Sequence, residues 1–296
     1  MLWIVGFLGL YVLGLFAVVW ISLHPYRIPG WIGPGSMGAP QEDIEFESDG
    51  NTLRGWWIES PESTSVVIFA HGYMMNKCEL TPEAVQMWRR GASCLVFDHR
   101  AHGKSGGKKC GLGLRERVDI ANAVREAKRR KPGTKIGLVG SSMGSAAIAL
   151  AMGDDPSLAD AIVLDSCFSS LVSASLGWWR FVGGNALMVL LSPTTLISGP
   201  MAGFNPFRVD VAKSLEKLRS TPVLFLHGSK DNLALPSHAQ RNIDAHSGPH
   251  TVVWFEGCGH SEGRWEQPEK YQEALVTFFQ EQGILAAGHH VHGNRR

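Results

Sequence analysis

The chain has 296 residues, of which 44% are hydrophobic, and a formal net charge of +1. This length suffices for one large domain around its own core and does not require two domains. The near-zero charge gives no basic footprint, so no nucleic-acid partner is expected. Five cysteines are present, with no CxxC pair and no Cys/His spacing typical of zinc.

The N-terminal segment, residues 1–23, contains no charged side chain. At about 1.5 Å per residue, a helix of this length crosses a hydrocarbon core of about 30 Å. Trp3 and Trp20 lie near its ends, where interfacial rings are common. No Lys or Arg precedes the segment and no A-x-A site follows it, which favours a retained transmembrane anchor over a cleaved signal peptide. Arg27 follows the span, so the positive-inside rule favours a cytoplasmic domain.

Residues 24–40 carry four prolines and four glycines and predict a linker. A hairpin centred on Asp49-Gly50 opens the domain predicted for residues 41–284. Buried-strand patterns then alternate with helical ones, and residues Val118, Ala121 and Val124 are predicted to face the core. This alternation predicts an α/β fold with a mostly parallel, mixed sheet covered by helices on both faces. The strands are predicted at 66–70, 93–98, 135–140, 161–165, 222–227 and 251–255, and the helices at 79–90, 114–130, 142–152 and 266–280.

Residues 167–210 interrupt the alternation with an apolar stretch that contains Trp178 and Trp179. Extra core is one interpretation, and a helical cap that gives the site an apolar acyl pocket is the other. Arg180, together with several glycines and prolines, disfavours a second full membrane span. Residues 285–296 form a His-rich tail that is predicted to be disordered.

The sequence Gly140-Ser141-Ser142-Met143-Gly144 matches G-x-S-x-G. It lies between a predicted strand and a predicted helix, which is the setting of a nucleophile elbow. Ser142 is therefore the predicted nucleophile, at the positive end of the helix.

A serine nucleophile needs a base, and in this topology the order along the chain is Ser, acid, His. Asp231 and His260 each follow a late strand and are the predicted acid and base. Asp165, also at a strand end, is the second-ranked acid, and Asp244 ranks lower. The competing histidines lie in strand-end turns and are expected to hydrogen-bond local backbone: His71, His99, His102 and His227.

Acyl transfer also needs N–H donors for the oxyanion. The backbone N–H of Met143 follows the nucleophile, and that of Tyr73 lies in the turn His71-Gly72-Tyr73 after a predicted strand. These two groups are the predicted oxyanion hole. The alternative is that His71-Gly72 is only a turn.

Over residues 43–282 the sequence resembles the single-pass, membrane-anchored α/β-hydrolase-domain serine hydrolases. That group includes lysophospholipid and monoacylglycerol lipases and protein depalmitoylases. The motifs that carry the resemblance are His71-Gly72-Tyr73, residues 98–105, residues 140–144, His227-Gly228 with Asp231, and Gly259-His260. The resemblance implies an α/β-hydrolase fold, a Ser–Asp–His triad and a structural role for the turn that begins at Asp98. The absence of an HGGG motif disfavours the esterases that use that oxyanion loop.

The function predicted from these motifs is hydrolysis of carboxylic esters, of lipid-like or long-chain acyl substrates at a membrane, through an acyl-enzyme on Ser142. This chemistry needs no metal or organic cofactor. An acyl-protein thioesterase and a serine peptidase of the same fold are the alternatives. The peptidase is disfavoured because this sequence holds no propeller-sized extra domain of the kind found in oligopeptidases. A non-catalytic scaffold is disfavoured because all three triad residues are present. The sequence predicts no oligomeric state.

Overall fold

The structure, a computed structural model, describes residues 2–286 of the chain. One eight-stranded sheet organises the domain, in the order β1-β2-β4-β3-β5-β6-β7-β8. The pairs β1–β2 and β2–β4 are antiparallel, and every other pair is parallel. The predicted mixed, mostly parallel sheet is therefore confirmed. Its strands are β1 (Glu42–Ser48), β2 (Asn51–Ile58), β3 (Ser65–Ala70), β4 (Ser93–Phe97), β5 (Lys135–Ser141), β6 (Ala161–Asp165), β7 (Val223–Gly228) and β8 (His250–Phe255).

Helices connect the parallel strands and cover both faces of the sheet. Those of the described residues are α1 (Leu2–Leu23), α2 (Thr81–Arg89), α3 (Glu116–Arg130), α4 (Met143–Asp154), α5 (Leu171–Leu191), α6 (Thr194–Ala202), α7 (Val211–Leu215), α8 (Pro236–Ala245), α9 (Gly263–Glu266) and α10 (Pro268–Glu281).

The β1–β2 hairpin turns at the predicted dipeptide. Asp49 has a φ of 51° and Gly50 a φ of 72°. Two consecutive positive φ values define a type I′ turn, whose twist matches that of the flanking strands, and Asp-Gly tolerates it well.

The sheet separates two cores because successive strand residues point to opposite faces. In β3, Val66 and Ile68 pack against α3 and α4, whereas Val67 and Phe69 pack against α2 and α10. The core stripe of α3 is Ile120, Ala123, Val124 and Ala127, all buried. The predicted stripe was correct for Val124 and wrong for Val118 and Ala121, which are half-buried, because the helix is rotated so that Ile120 and Ala127 reach the sheet.

The chain between α1 and the sheet packs on the domain. Arg27 donates hydrogen bonds to the carbonyls of Gly103 at 3.1 Å, Gly107 at 2.7 Å and Ser105. The amide of Cys110 donates to the carbonyl of Leu23, the last residue of α1, at 2.8 Å. Residues 24–40 are thus fixed at several points and include a short 3₁₀ helix, Pro34–Met37.

At the other end of the domain, Leu285 is buried in the core with α10. The folded domain therefore extends into the first residue that the sequence analysis assigned to the tail. Ala286 follows as an exposed residue, and the remainder of that predicted tail, residues 287–296, lies outside the described residues.

Candidate active site

The predicted nucleophile occupies a strained turn between β5 and α4. Ser142 has φ 49° and ψ −109°, a conformation that L-residues rarely adopt. Both motif glycines are required by close backbone packing. A Cβ added at Gly144 would lie 2.0 Å from the carbonyl oxygen of Ala70, and one at Gly140 would lie 2.5 Å from the amide of Ser145. The sequence motif therefore forms the sharp turn that lifts Ser142 above the sheet.

The structure brings Ser142, His260 and Asp231 together in one hydrogen-bonded chain. Nε2 of His260 lies 2.8 Å from Oγ of Ser142, and Nδ1 lies 2.7 Å from Oδ2 of Asp231. Asp231 is buried, and its Oδ1 accepts the amides of Leu233 at 2.9 Å and Ala234 at 2.8 Å. The carboxylate is thus fixed and can orient the imidazole, which is placed to accept the serine proton.

The predicted oxyanion donors adjoin the nucleophile. Tyr73 and Met143 line the same cavity as Ser142. The amide of Met143 opens α4 and so has no intrahelical acceptor. Within the described part of the chain, the amide of Tyr73 makes no hydrogen bond. The preceding amide, of Gly72, donates to Oε2 of Glu79 at 2.7 Å, which fixes the loop. Both predicted donors are therefore available to a substrate oxygen.

A buried ionic network that the sequence analysis missed lies beneath the triad. Arg264 contacts Oε1 of Glu79 at 3.0 Å, Oδ2 of Asp165 at 3.0 Å and Oγ of Ser141 at 2.5 Å. Burial alone would raise the pKa of Glu79, but Arg264 and the Gly72 amide outweigh it and hold that pKa below its usual value. Asp165, the second-ranked acid, thus pairs with Arg264, not with His260. No spacing in the sequence links Glu79 to Arg264.

Among the described residues, none of the competing histidines hydrogen-bonds to Ser142, and three of them bond backbone as expected. The expectation was wrong for His99, whose ring makes no backbone bond within residues 2–286 because it faces the buried carboxylate of Asp119, with Nδ1 3.7 Å from Oδ2. Nδ1 of His71 donates to the carbonyl of Gly72 at 2.7 Å, and Nε2 of His71 accepts the amide of His99 at 3.0 Å. His102 bonds the carbonyl of Arg100 and His227 that of Ala234. Asp244, the third acid candidate, lies on α8 and accepts a hydrogen bond from Gln240.

The triad opens into a cavity of about 970 Å³ with a largely apolar wall. The predicted cap contributes Trp178, Trp179 and Phe181 to this wall. Ser22 and Trp31, from α1 and the segment that follows it, line it as well, which the sequence analysis did not predict. In residues 2–286, no group of three or more His, Cys, Asp or Glu side chains is placed to bind a metal ion.

The sheet order, the serine turn and the triad define the α/β-hydrolase fold. The family described as serine aminopeptidase, S33, matches residues 61–195. The uncharacterized protein YqkD of Bacillus subtilis is 24% identical over 234 residues, which cover 77% of this chain and 75% of that protein. The monoacylglycerol lipase of Mycolicibacterium smegmatis is 28% identical over 162 residues, or 55% of this chain and 48% of the lipase.

Solved structures share the fold at low identity. The Pyrococcus furiosus esterase Pf2001 superposes with a TM-score of 0.73 at 23% identity, covering 88% of this chain and 98% of the esterase. The acylaminoacyl peptidase of Pyrococcus horikoshii gives a TM-score of 0.65 at 18% identity, covering 85% of this chain and 43% of the peptidase. Together with the family match, these similarities support a hydrolase.

Proposed function

We propose that the chain is a serine hydrolase that cleaves carboxylic esters of long-chain acyl groups at a membrane. The observation that carries this proposal is the continuous hydrogen-bonded chain from Ser142 through His260 to Asp231 at the base of an apolar cavity. Ser142 Oγ attacks the ester carbonyl carbon while His260 Nε2 takes its proton. The amides of Tyr73 and Met143 hold the oxyanion.

Collapse of the tetrahedral intermediate breaks the bond to the alcohol, which takes the proton from His260. His260 then removes a proton from water, the resulting hydroxide attacks the acyl-enzyme, and Ser142 recovers its proton as the acid leaves. The Asp231 carboxylate remains ionised and stabilises the imidazolium in both steps. Every proton in the cycle is thus carried by His260.

The long-chain preference rests on the wall of the cavity and on α1. Trp31, Trp178 and Phe181 offer apolar surface at a site large enough for an acyl chain. The apolar stretch Trp3–Leu23 is long enough to cross a bilayer and is 11% buried. As a retained anchor, it would hold the cavity at the membrane surface, where long-chain esters are concentrated.

The test is covalent labelling of the full-length protein with a fluorophosphonate probe. We expect Ser142→Ala to abolish labelling, and His260→Ala to reduce it by a factor on the order of 10³ or more because the base is lost. Ser141→Ala is the matched control, since this adjacent serine faces Arg264 and Glu79, and it should still label. A folded wild-type protein that does not label would contradict the hydrolase proposal.

A substrate panel then separates the alternatives. Matched acyl esters, acyl thioesters and aminoacyl amides distinguish an esterase from a thioesterase and from a peptidase. We expect kcat/KM for the esters to rise with acyl length, because each added CH₂ buried in the cavity stabilises the bound states by about 0.8 kcal/mol relative to free substrate. Faster cleavage of aminoacyl amides would instead favour the peptidase alternative.

A further inference from the structure

The α5–α6 segment forms an apolar hairpin beside α1. No Asp, Glu, Lys or Arg occurs in residues 181–207. Leu171–Leu191 and Thr194–Ala202 together are apolar enough for a broken membrane segment, and the two helices bend by 87°. Large apolar side chains on the hairpin are exposed, with Val189 at 67% and Leu196 at 70%. Such a continuous exposed apolar surface marks an interaction site.

A hydrogen bond places the tip of this hairpin halfway along α1. The hydroxyl of Tyr11 donates to the carbonyl of Leu190 at 2.6 Å. Tyr11 lies nine residues before Trp20, or about 13 Å along a helix. With Trp20 at the interface, that distance is close to half of a hydrocarbon core of about 30 Å. The end of α5 therefore reaches the mid-depth of the bilayer that α1 would cross.

The hairpin packs along α1 from that depth to the domain. Val19 and Leu23 are buried with Ala202 of α6, and Leu15 is also buried although its neighbours on α1 are exposed. Tyr11, Leu15, Val19 and Leu23 follow one another at intervals of four residues and so lie on one helical face. The hairpin covers this face and leaves the rest of α1 exposed.

The hydroxyl groups near the tip of the hairpin are satisfied by its own backbone, as suits a lipid environment. Each hydroxyl near the tip donates to a backbone carbonyl three residues earlier: Ser192 to Val189, Thr194 to Leu191, Thr195 to Ser192, and Ser198 to Thr195. The carbonyl of Leu190, at the end of α5, has no partner within the helix and is satisfied by Tyr11. Carbonyls at a helix end in water would need none of these partners.

Among the described residues, the charged side chains that contact the hairpin lie near the domain. Lys109 donates to the carbonyl of Met201 at 2.9 Å and Arg115 to that of Ala202 at 2.8 Å, at the end of α6. Arg180 precedes the uncharged segment and contacts the carbonyl of Asn232 in the domain. Among the described residues, cationic side chains therefore lie at the two ends of the hairpin that join the domain, and none lies at its tip. This distribution matches the change in polarity from the membrane surface to the bilayer interior.

We propose that residues 181–202 insert into the bilayer as a re-entrant hairpin beside α1, reaching about its mid-depth, and that the active-site cavity opens at their base. This inference rests on the proposed function in that α1 is taken as a membrane anchor. Ser22 of α1 and Phe181 of α5 both line the cavity, so an acyl chain moves from hydrocarbon into the site between them. The partner of this surface is the lipid bilayer.

The test measures the depth of spin labels in the full-length protein in phosphatidylcholine vesicles. Single cysteines replace Val189 and Leu196, with Leu13→Cys as the reference in α1 and Asp155→Cys as the reference in water. The five native cysteines are buried, so labels attach to the introduced sites. We expect the ratio of oxygen to nickel-chelate collisions at 189 and 196 to match that at 13 and to exceed that at 155 several-fold.

Other outcomes overturn the proposal in distinct ways. If the labels at 189 and 196 collide with the nickel chelate while the label at 13 reports lipid, α1 is a membrane anchor but the hairpin lies outside the bilayer. Nickel access at 13 as well would remove both. Exclusion of both quenchers at 196, with coupling between labels, would indicate a dimer interface. The same measurement on Ser142→Ala is independent of catalysis, so a failure of the hydrolase proposal remains distinguishable.

Discussion

Arg264 is the residue at which three loops of the site converge. It binds Glu79, which holds the predicted oxyanion loop through the amide of Gly72, and Ser141, which precedes the predicted nucleophile. It also binds Asp165, whose carbonyl accepts the amide of Ser142 at 2.9 Å. Ser261, which follows the predicted base His260, donates its backbone amide to Oγ of Ser166, the residue after Asp165. We therefore assign Arg264 a positioning role under the triad.

Removing this guanidinium should destabilise the protein strongly. Arg264→Met leaves two buried carboxylates, Glu79 and Asp165, without their cation, and we expect a loss of about 3–5 kcal/mol in the free energy of unfolding. Arg264→Lys keeps the charge but cannot make the forked contacts, so it should lose less. Chemical denaturation in detergent measures both variants. Wild-type stability in Arg264→Met would show that the network is dispensable.

The candidate catalytic residues could be predicted one by one, and the residues that support them could not. Ser142, Asp231 and His260 each lie at the end of a strand whose apolar pattern is visible in the sequence. Glu79 and Arg264, in contrast, are brought together only by the fold. Their sequence neighbourhoods give no periodic or spacing signal that could pair them.

At the scale of the elements, α4 packs against β3 through a contact with no room for a side chain. The Cβ of an alanine at position 144 would lie 2.0 Å from the carbonyl oxygen of Ala70. Real Cβ atoms do not approach so closely, so β3 and α4 would have to separate, and the oxyanion loop after β3 would move with them.

We expect Gly144→Ala to lower the free energy of unfolding by several kcal/mol, on the order of an overpacked core, and to abolish fluorophosphonate labelling. Gly199→Ala is the control, because a Cβ there would meet its nearest atoms at 3.4 Å. Thermal denaturation and labelling of both variants provide the measurement. A stable, labelled Gly144→Ala protein would show that the strand and helix can separate without harm.

Periodicity predicted the central elements well and the cap poorly. Strands β3 to β7 are buried apolar runs bounded by turns, and the half-buried edge strand β8 has a similar apolar run, so their existence and order followed directly from the pattern. The α5–α6 segment is apolar on all sides and has no clear period, so the sequence could not show which surface packs. Its kink falls at the local pair Gly183 and Gly184, where φ is −147° and 71°, whereas its contact with α1 joins residues far apart in the sequence.

At the scale of the whole molecule, buried imidazoles couple stability to pH. Burial, reinforced by His99, lowers the pKa of His71 to about 4. The neutral ring donates from Nδ1 and accepts at Nε2, and a second proton would remove that acceptor. The unfolded chain binds a proton on His71 below about pH 6.5. Lowering the pH from 6.5 towards 4 therefore favours the unfolded chain.

Between pH 6.5 and 4, protonation of His71 in the unfolded chain should lower the free energy of unfolding of the wild type by roughly 3 kcal/mol. We expect His71→Gln to lack this decrease. The comparison matters because Glu83, whose pKa burial raises to about 7, acts in the opposite direction over part of this window. The contribution of Glu83 cancels when the free energy of unfolding of the variant is subtracted from that of the wild type at each pH. Parallel profiles from denaturant titrations at each pH would contradict the assignment to His71.

Arg27 has a consequence for how such a protein would search for substrate. Its guanidinium fixes the chain that leaves α1 to the carbonyls of residues 103–107, which ties α1 to the domain. A flexible tether would let the site sample the aqueous volume above the bilayer. A rigid attachment would hold the site at one distance from the membrane. Enzyme and substrate would then meet by lateral diffusion in the plane of the bilayer. The relevant concentration is then the mole fraction of ester among the lipids, not its amount per litre.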